Sequence, residues 1–161
     1  MIGIDRALRH LAWADARLFK ELAALPSEAL QARYAPDAAT VADLAVHIVS
    51  GAEWYAYVLT GEQWTDLQVP RSAADLGALA VRLAHLDALL LAQAELPDER
   101  ITFEDEDGPR QALRSTVLTQ ASMHATEHRA QIACALEVAE WPRIDLDSYD
   151  LWAFHDYEAR S

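Results

Sequence analysis

QALRSTVLTQASMHATEHRAQIACALEVAE, residues 111–140, decides the fold. The stretch stops just before Pro142 and reads as one long helix. A core stripe can be traced along it through Leu113, Val117, Ala121, His124, His128, Ile132 and Ala135. These lie at the three- and four-residue steps that gather side chains on one helical face. A helix with one apolar face must cover that face with other elements.

The chain upstream supplies three more helices. Residues 4–25 carry the stripe Ile4, Leu8, Leu11, Leu18, Leu22 and Leu25, stopped by Pro26. After a loop over residues 27–39 that contains Pro36, Thr40-Val-Ala-Asp43 reads as a capping box. It opens a helix that ends near Thr60, with Gly61 supplying a left-handed cap. The stripe there is Val41, Leu44, Ile48, Ala52, Tyr55 and Leu59. Ser72-Ala-Ala-Asp75 reads as a second capping box, before Leu76, Leu79, Leu83, Leu86 and Leu90 and a stop at Leu96-Pro97. Ile101-Thr-Phe103 alternates like a strand and Asp107-Gly108-Pro109 is a turn, so a small hairpin or extended segment precedes the last long helix. Residues 148–160 form a short C-terminal helix whose Tyr149, Trp152 and Phe154 dock on the rest. The expected fold is all-α: a four-helix bundle, one domain over residues 1–161.

Composition narrows the function. Apolar residues make up 52% and charged residues 24%, a globular rather than disordered profile. The net charge of −13 and the lack of a basic stripe argue against nucleic acid and against anionic lipid. The single cysteine, Cys134, excludes an internal disulfide and a multi-cysteine metal cluster. Met1-Ile2-Gly3-Ile4-Asp5 lacks a basic region followed by an apolar run, so no signal peptide is expected. No stretch is long and apolar enough to span a bilayer, and a cytoplasmic location is expected.

His124 and His128 hold positions that apolar residues occupy above and below them. One helical turn separates them, which lets two imidazoles converge on one ion with bonds of about 2.0–2.1 Å. The alternative is two core histidines hydrogen-bonded to neighbours. His47 lies beside the second helix's stripe, three residues after Leu44, and is aimed at the core or its edge. A buried polar group without a partner costs about 1–3 kcal/mol, and one metal would satisfy all three imidazoles.

His124-Ala-Thr-Glu-His128-Arg129-Ala130-Gln131-Ile132 resembles the H-x-x-x-H-R-x-Q-I signature of the DinB/YfiT-like family. Asp43-Leu-Ala-Val-His47-Ile-Val-Ser-Gly-Ala-Glu53 resembles its helix-two segment, and Trp13-Ala-Asp15 its helix-one W-A-N element. The acidic turn Phe103 to Gly108 and the segment Pro142 to Asp145 also resemble family features. The resemblance spans nearly the whole chain, in order and spacing. It implies a four-helix bundle with a three-histidine metal site at one end, often in a homodimer. By position the ligands would be His47, His124 and His128. Gln120, Ala130 and Asp15 depart from a frequent histidine, glycine and asparagine; none removes a ligand.

Other residues read two ways or plainly. Asp15 either bonds a ligand imidazole or metal-bound water, or sits at the stripe's edge and reaches solvent. Gln131 either orients His128 or is a polar boundary residue. Glu53, six residues after His47, is off its face and is not expected to be a ligand. His10 and His85 are expected to be solvated, and His155 to lie on the surface. Cys134 is expected to lie away from the histidines. Residues 104–108 lack the EF-hand spacing and terminal glutamate, and read as a solvated turn. The five tryptophans are spread out and form no stacking platform, and most are expected in core or interface packing.

Three neutral imidazoles leave a first-row metal with open positions. Zinc or nickel is expected first, and iron after them. The resemblance implies a metal-dependent enzyme that activates a low-molecular-weight thiol or water for transfer, isomerisation or hydrolysis of a small molecule. The other reading is a non-catalytic metal- or ligand-binding bundle, a sensor or interaction module.

Overall fold

The Thr40 hydroxyl accepts from the Asp43 backbone N–H at 3.0 Å, and the Asp43 carboxylate accepts from the Thr40 N–H at 2.9 Å. The capping box is complete in the computed structural model, which describes residues 3–105 and 107–160. Met1 and Ile2, part of the stretch read against a signal peptide, and Glu106 of the acidic turn lie outside the described residues, as does Ser161.

Four long helices carry the fold: α1 (Asp5–Ala23), α2 (Val41–Thr60), α3 (Ala73–Gln93) and α4 (Arg114–Val138). Gly61 ends α2 at φ 74°, a left-handed backbone that glycine adopts without a Cβ clash. The second capping box is half formed. Ser72 accepts from the Asp75 N–H, but Asp75 turns to the Arg71 N–H instead. α1 packs against α3 and α4, and α2 against α3 and α4. Between them lie the expected stripes of α1 to α3, with Leu8, Leu18, Leu22, Ile48, Leu76, Leu86 and Leu90 fully buried. A short 3-10 turn, Ser27–Gln31, fills part of the expected loop after α1. Among the described residues no helix is long and apolar enough to cross a membrane.

The segment before α4 is an antiparallel hairpin of β1 (Arg100–Asp105) and β2 (Gly108–Leu113). Gly108 makes its turn at φ 104°. Here the sequence reading needs correction, because Gln111, Ala112 and Leu113 do not begin the last helix. They pair with Thr102, Ile101 and Arg100 as strand, and Leu113 is exposed rather than core. The helix starts at Arg114 because Asp98 reaches across to accept from the Ser115 N–H at 2.9 Å and from its hydroxyl at 2.8 Å. That satisfies one of the helix's open N-terminal N–H groups from outside its own sequence, and the Glu99 carbonyl accepts from the Arg114 N–H at 3.0 Å.

A second correction concerns the α4 stripe. Val117, Ala121, Ile132 and Ala135 are buried as expected, but between them the buried face runs through Ala125 and Arg129. His124 and His128 stand half-buried at its edge.

The tail forms a 3-10 turn, Leu146–Tyr149, and α5 (Leu151–Glu158). Tyr149 and Phe154 are buried, as read, and Trp13 of α1 packs on both. Trp152 does not dock; it is 79% exposed. His10 is not solvated as expected. Its Nε2 stands 2.6 Å from the Tyr149 carbonyl and its ring packs against Trp13 and Phe154.

Candidate metal centre

Three imidazoles meet where α2 lies against α4. His47 comes from α2, and His124 and His128 from successive turns of α4. His124 Nε2 lies 3.3 Å from His47 Nε2 and 3.2 Å from His128 Nε2. A tetrahedral ion with bonds of about 2.0–2.1 Å sets its ligand atoms about 3.3–3.4 Å apart. These two pairs stand at that spacing, and one nitrogen from each of the three rings lies within 4.8 Å of the others. The three form the group of histidine, cysteine and acidic side chains that could hold a metal ion among the described residues. It contains imidazoles only. His47 is exposed and the other two are half-buried, so the group opens to solvent.

The surroundings fix the rings. His128 Nδ1 is 2.7 Å from Gln131 Oε1. A carbonyl oxygen there accepts the Nδ1–H, which leaves the neutral ring's lone pair on Nε2, facing the other imidazoles. Gln131 is thus an orienting partner and not simply a boundary residue. Tyr55 stands edge-on to His124 with ring centroids 5.8 Å apart, and Gln120 lies beside the Tyr55 hydroxyl. Burial first, then the neighbouring imidazoles, presses His124 down to about 4, so that ring is neutral at ordinary pH. His47 is also lowered, by burial and then by His128.

Gly51 makes the convergence sterically possible. It lies one turn after His47 on the face toward α4. A Cβ at this position would fall 2.7 Å from His124 Nδ1, closer than side-chain packing allows. Sequence reading missed it, although a glycine inside a helix costs about 1 kcal/mol against alanine and is itself a signal of close approach.

The remaining sequence candidates go elsewhere. Asp15 does not reach solvent. It is 1% exposed and accepts from Arg129 at 3.1 Å. Asp87 of α3 is buried near that pair, with one carboxylate oxygen lacking a hydrogen-bond partner. Burial pushes Asp15 up to about 6, with Arg129 pulling the other way. Burial and then repulsion from Asp15 push Asp87 up to about 9. Arg129 appeared in the sequence only as a position of the quoted signature, with no role. Asp87 did not stand out, though it lies beside Leu86 in the stripe, four residues after Leu83 and three before Leu90. Glu53 is buried away from the imidazoles, taking 2.8 Å from Arg82 and 2.6 Å from the Thr65 hydroxyl. His85 and His155 are exposed, as is the free thiol of Cys134.

The family model described as "DinB family" matches residues 3–151. No curated protein matches the chain closely enough to count as a relative.

Proposed function

Since the chain belongs to the DinB family, we propose that it is a four-helix bundle binding one divalent metal through His47, His124 and His128. The single observation that carries this reading is the spacing of the three Nε2 atoms, 3.2 and 3.3 Å in the two adjacent pairs. Imidazole donors suit zinc, nickel, copper and iron; zinc or nickel is the ion proposed first, and iron after them. Such an ion would lower the pKa of a thiol or water, or polarise a carbonyl. The chain's residues do the rest. Gln131 holds the His128 lone pair outward, burial keeps His124 unprotonated, and the exposed side of His47 gives a small molecule access. In this reading the protein is a cytoplasmic homodimer that directs a low-molecular-weight thiol or water onto a small electrophile.

One observation favours a second reading. The histidine group contains no carboxylate or thiolate that would serve as a general base. A non-catalytic metal- or ligand-binding bundle needs none.

Elemental analysis of the purified, untagged chain tests the metal. The expected result is one ion per chain, lost in His124→Ala. Protein without stoichiometric metal, or a variant that keeps it, overturns the assignment. A panel of small thiols with electrophilic acceptors then separates enzyme from binder. Absence of turnover with any thiol or with water selects the binder.

A further inference from the structure

A cleft of about 200 Å³ lies between α1 and α3. Ala12 and Ala16 line it from α1, and Ala80 and Ala84 from α3, so its walls are largely methyl groups. Asp15 and Asp87 also line it. Both carboxylates are deeply buried, at 1% and 4% exposure. Asp15 is partnered by Arg129, whereas Asp87 Oδ1 has no hydrogen-bond partner among the described residues.

Charge bookkeeping defines what is missing. Two carboxylates share one guanidinium, so with both ionised the cluster carries one uncompensated negative charge. Buried charge is tolerated only when it is paired. A proton on Asp87 meets that need, and so does a cation that enters the cleft and displaces it. The walls select the kind of cation. Calcium or magnesium takes six or more oxygen ligands, and methyl groups offer none. A primary ammonium has three N–H donors at one end, and an alkyl stem suits apolar walls.

We infer that the α1–α3 cleft binds a primary alkylammonium ion, whose N–H groups donate to Asp87 Oδ1 while its alkyl chain lies along the alanine walls. The site is separate from the three imidazoles, although a second, small cavity of about 10 Å³ has Asp15, Asp87 and His124 in its lining. The inference does not depend on metal being bound.

Calorimetric titration of the full chain with n-butylammonium chloride, at ionic strength fixed with choline chloride, tests it. Choline is broader and has no N–H donor. Expected is saturable binding of n-butylammonium, weakened about tenfold or more in Asp87→Asn, where a charged hydrogen bond is lost. Ala84→Leu places a larger side chain from an exposed position at the cleft and is expected to block binding with the charges intact. n-Butanol is expected not to compete. Three results overturn the inference: no saturation by n-butylammonium, equal affinity in Asp87→Asn, or equal affinity for n-butanol. The first means that a proton alone neutralises Asp87. Metal content, measured on the same samples, is expected to be unchanged by either substitution, so failure here stays distinct from failure of the metal assignment.

Discussion

Gly51 and His124 show how one missing methyl group positions a ring. A Cβ on α2 at this point would press on the His124 imidazole, 2.7 Å from Nδ1, and the ring must turn away from His47 to relieve it. Gly51→Ala should therefore separate two properties that usually move together. Helix propensity favours alanine by about 1 kcal/mol, so the helical signal and its melting temperature should hold or rise. Metal affinity should fall about tenfold or more as the three Nε2 atoms lose their spacing. Circular dichroism with metal analysis of the same sample checks both, and full metal retention would show that His124 has another way to converge. At this scale the sequence supplied the donors: two histidines one turn apart and a third on another helix. It did not supply the arrangement that distinguishes ligands from core histidines. That depends on Gly51, whose role exists only once α2 and α4 are in contact; the Gln131–His128 bond is local to α4 and was legible as one of two readings.

The C-terminal segment is held by polar groups on α1 as much as by its aromatic residues. His10 meets the Tyr149 carbonyl at 2.6 Å, Arg17 donates to the Ser148 carbonyl at 2.8 Å, and Arg9 pairs with Glu158 at 2.6 Å. His10→Ala removes a part-buried hydrogen bond worth about 1 kcal/mol and the ring that packs on Phe154. Hydrogen exchange should then quicken over residues 146–158 and stay unchanged in α2 and α4. Exchange over residues 146–158 no faster than in the parent would mean that His10 adds nothing to what Arg9, Arg17 and the aromatic packing already hold. The reading of Tyr149 and Phe154 as docking residues holds and that of Trp152 does not, for a geometric reason. In α5 Trp152 is about 200° around the helix from Phe154, at about 100° per residue, so both cannot face α1. The α4 boundary was illegible for a related reason. Gln111, Ala112 and Leu113 are compatible with helix or strand, and the choice is made by β1 pairing and by Asp98, thirteen or more residues upstream.

Stability of the whole molecule is tied to a charge cluster that joins three helices: Asp15 of α1, Asp87 of α3 and Arg129 of α4. Tyr149 lies against the same guanidinium, 5.6 Å from its ring centroid. Asp87, pushed up to about 9, holds its proton in the folded state at pH values where the unfolded chain has released it. The native state binds more protons between about pH 4 and pH 9, so this residue's contribution to stability falls as pH rises through that window. Asp87→Asn abolishes that dependence. Its melting temperature relative to the parent should be nearly unchanged near pH 4 and should climb with pH. Each 1 kcal/mol gained should appear as about 2–4 °C. Melting both proteins across the pH range checks this. A parallel pair of profiles would show that Asp87 ionises normally in the fold.

The sequence by itself determined the elements. Its apolar spacing placed four long helices, proline and glycine set most of their ends, and alternation marked the hairpin. The same local chemistry named the three histidines. Periodicity is a property of neighbouring residues, and neighbours are all a sequence presents directly. Only the tertiary structure decided which face of α4 is buried. A stripe through Ala125 and Arg129 looks unfavourable until Asp15 on another helix pairs with the arginine. Burial of that charge turns the α4 surface and leaves His124 and His128 at the edge of the core, open to solvent and within reach of His47.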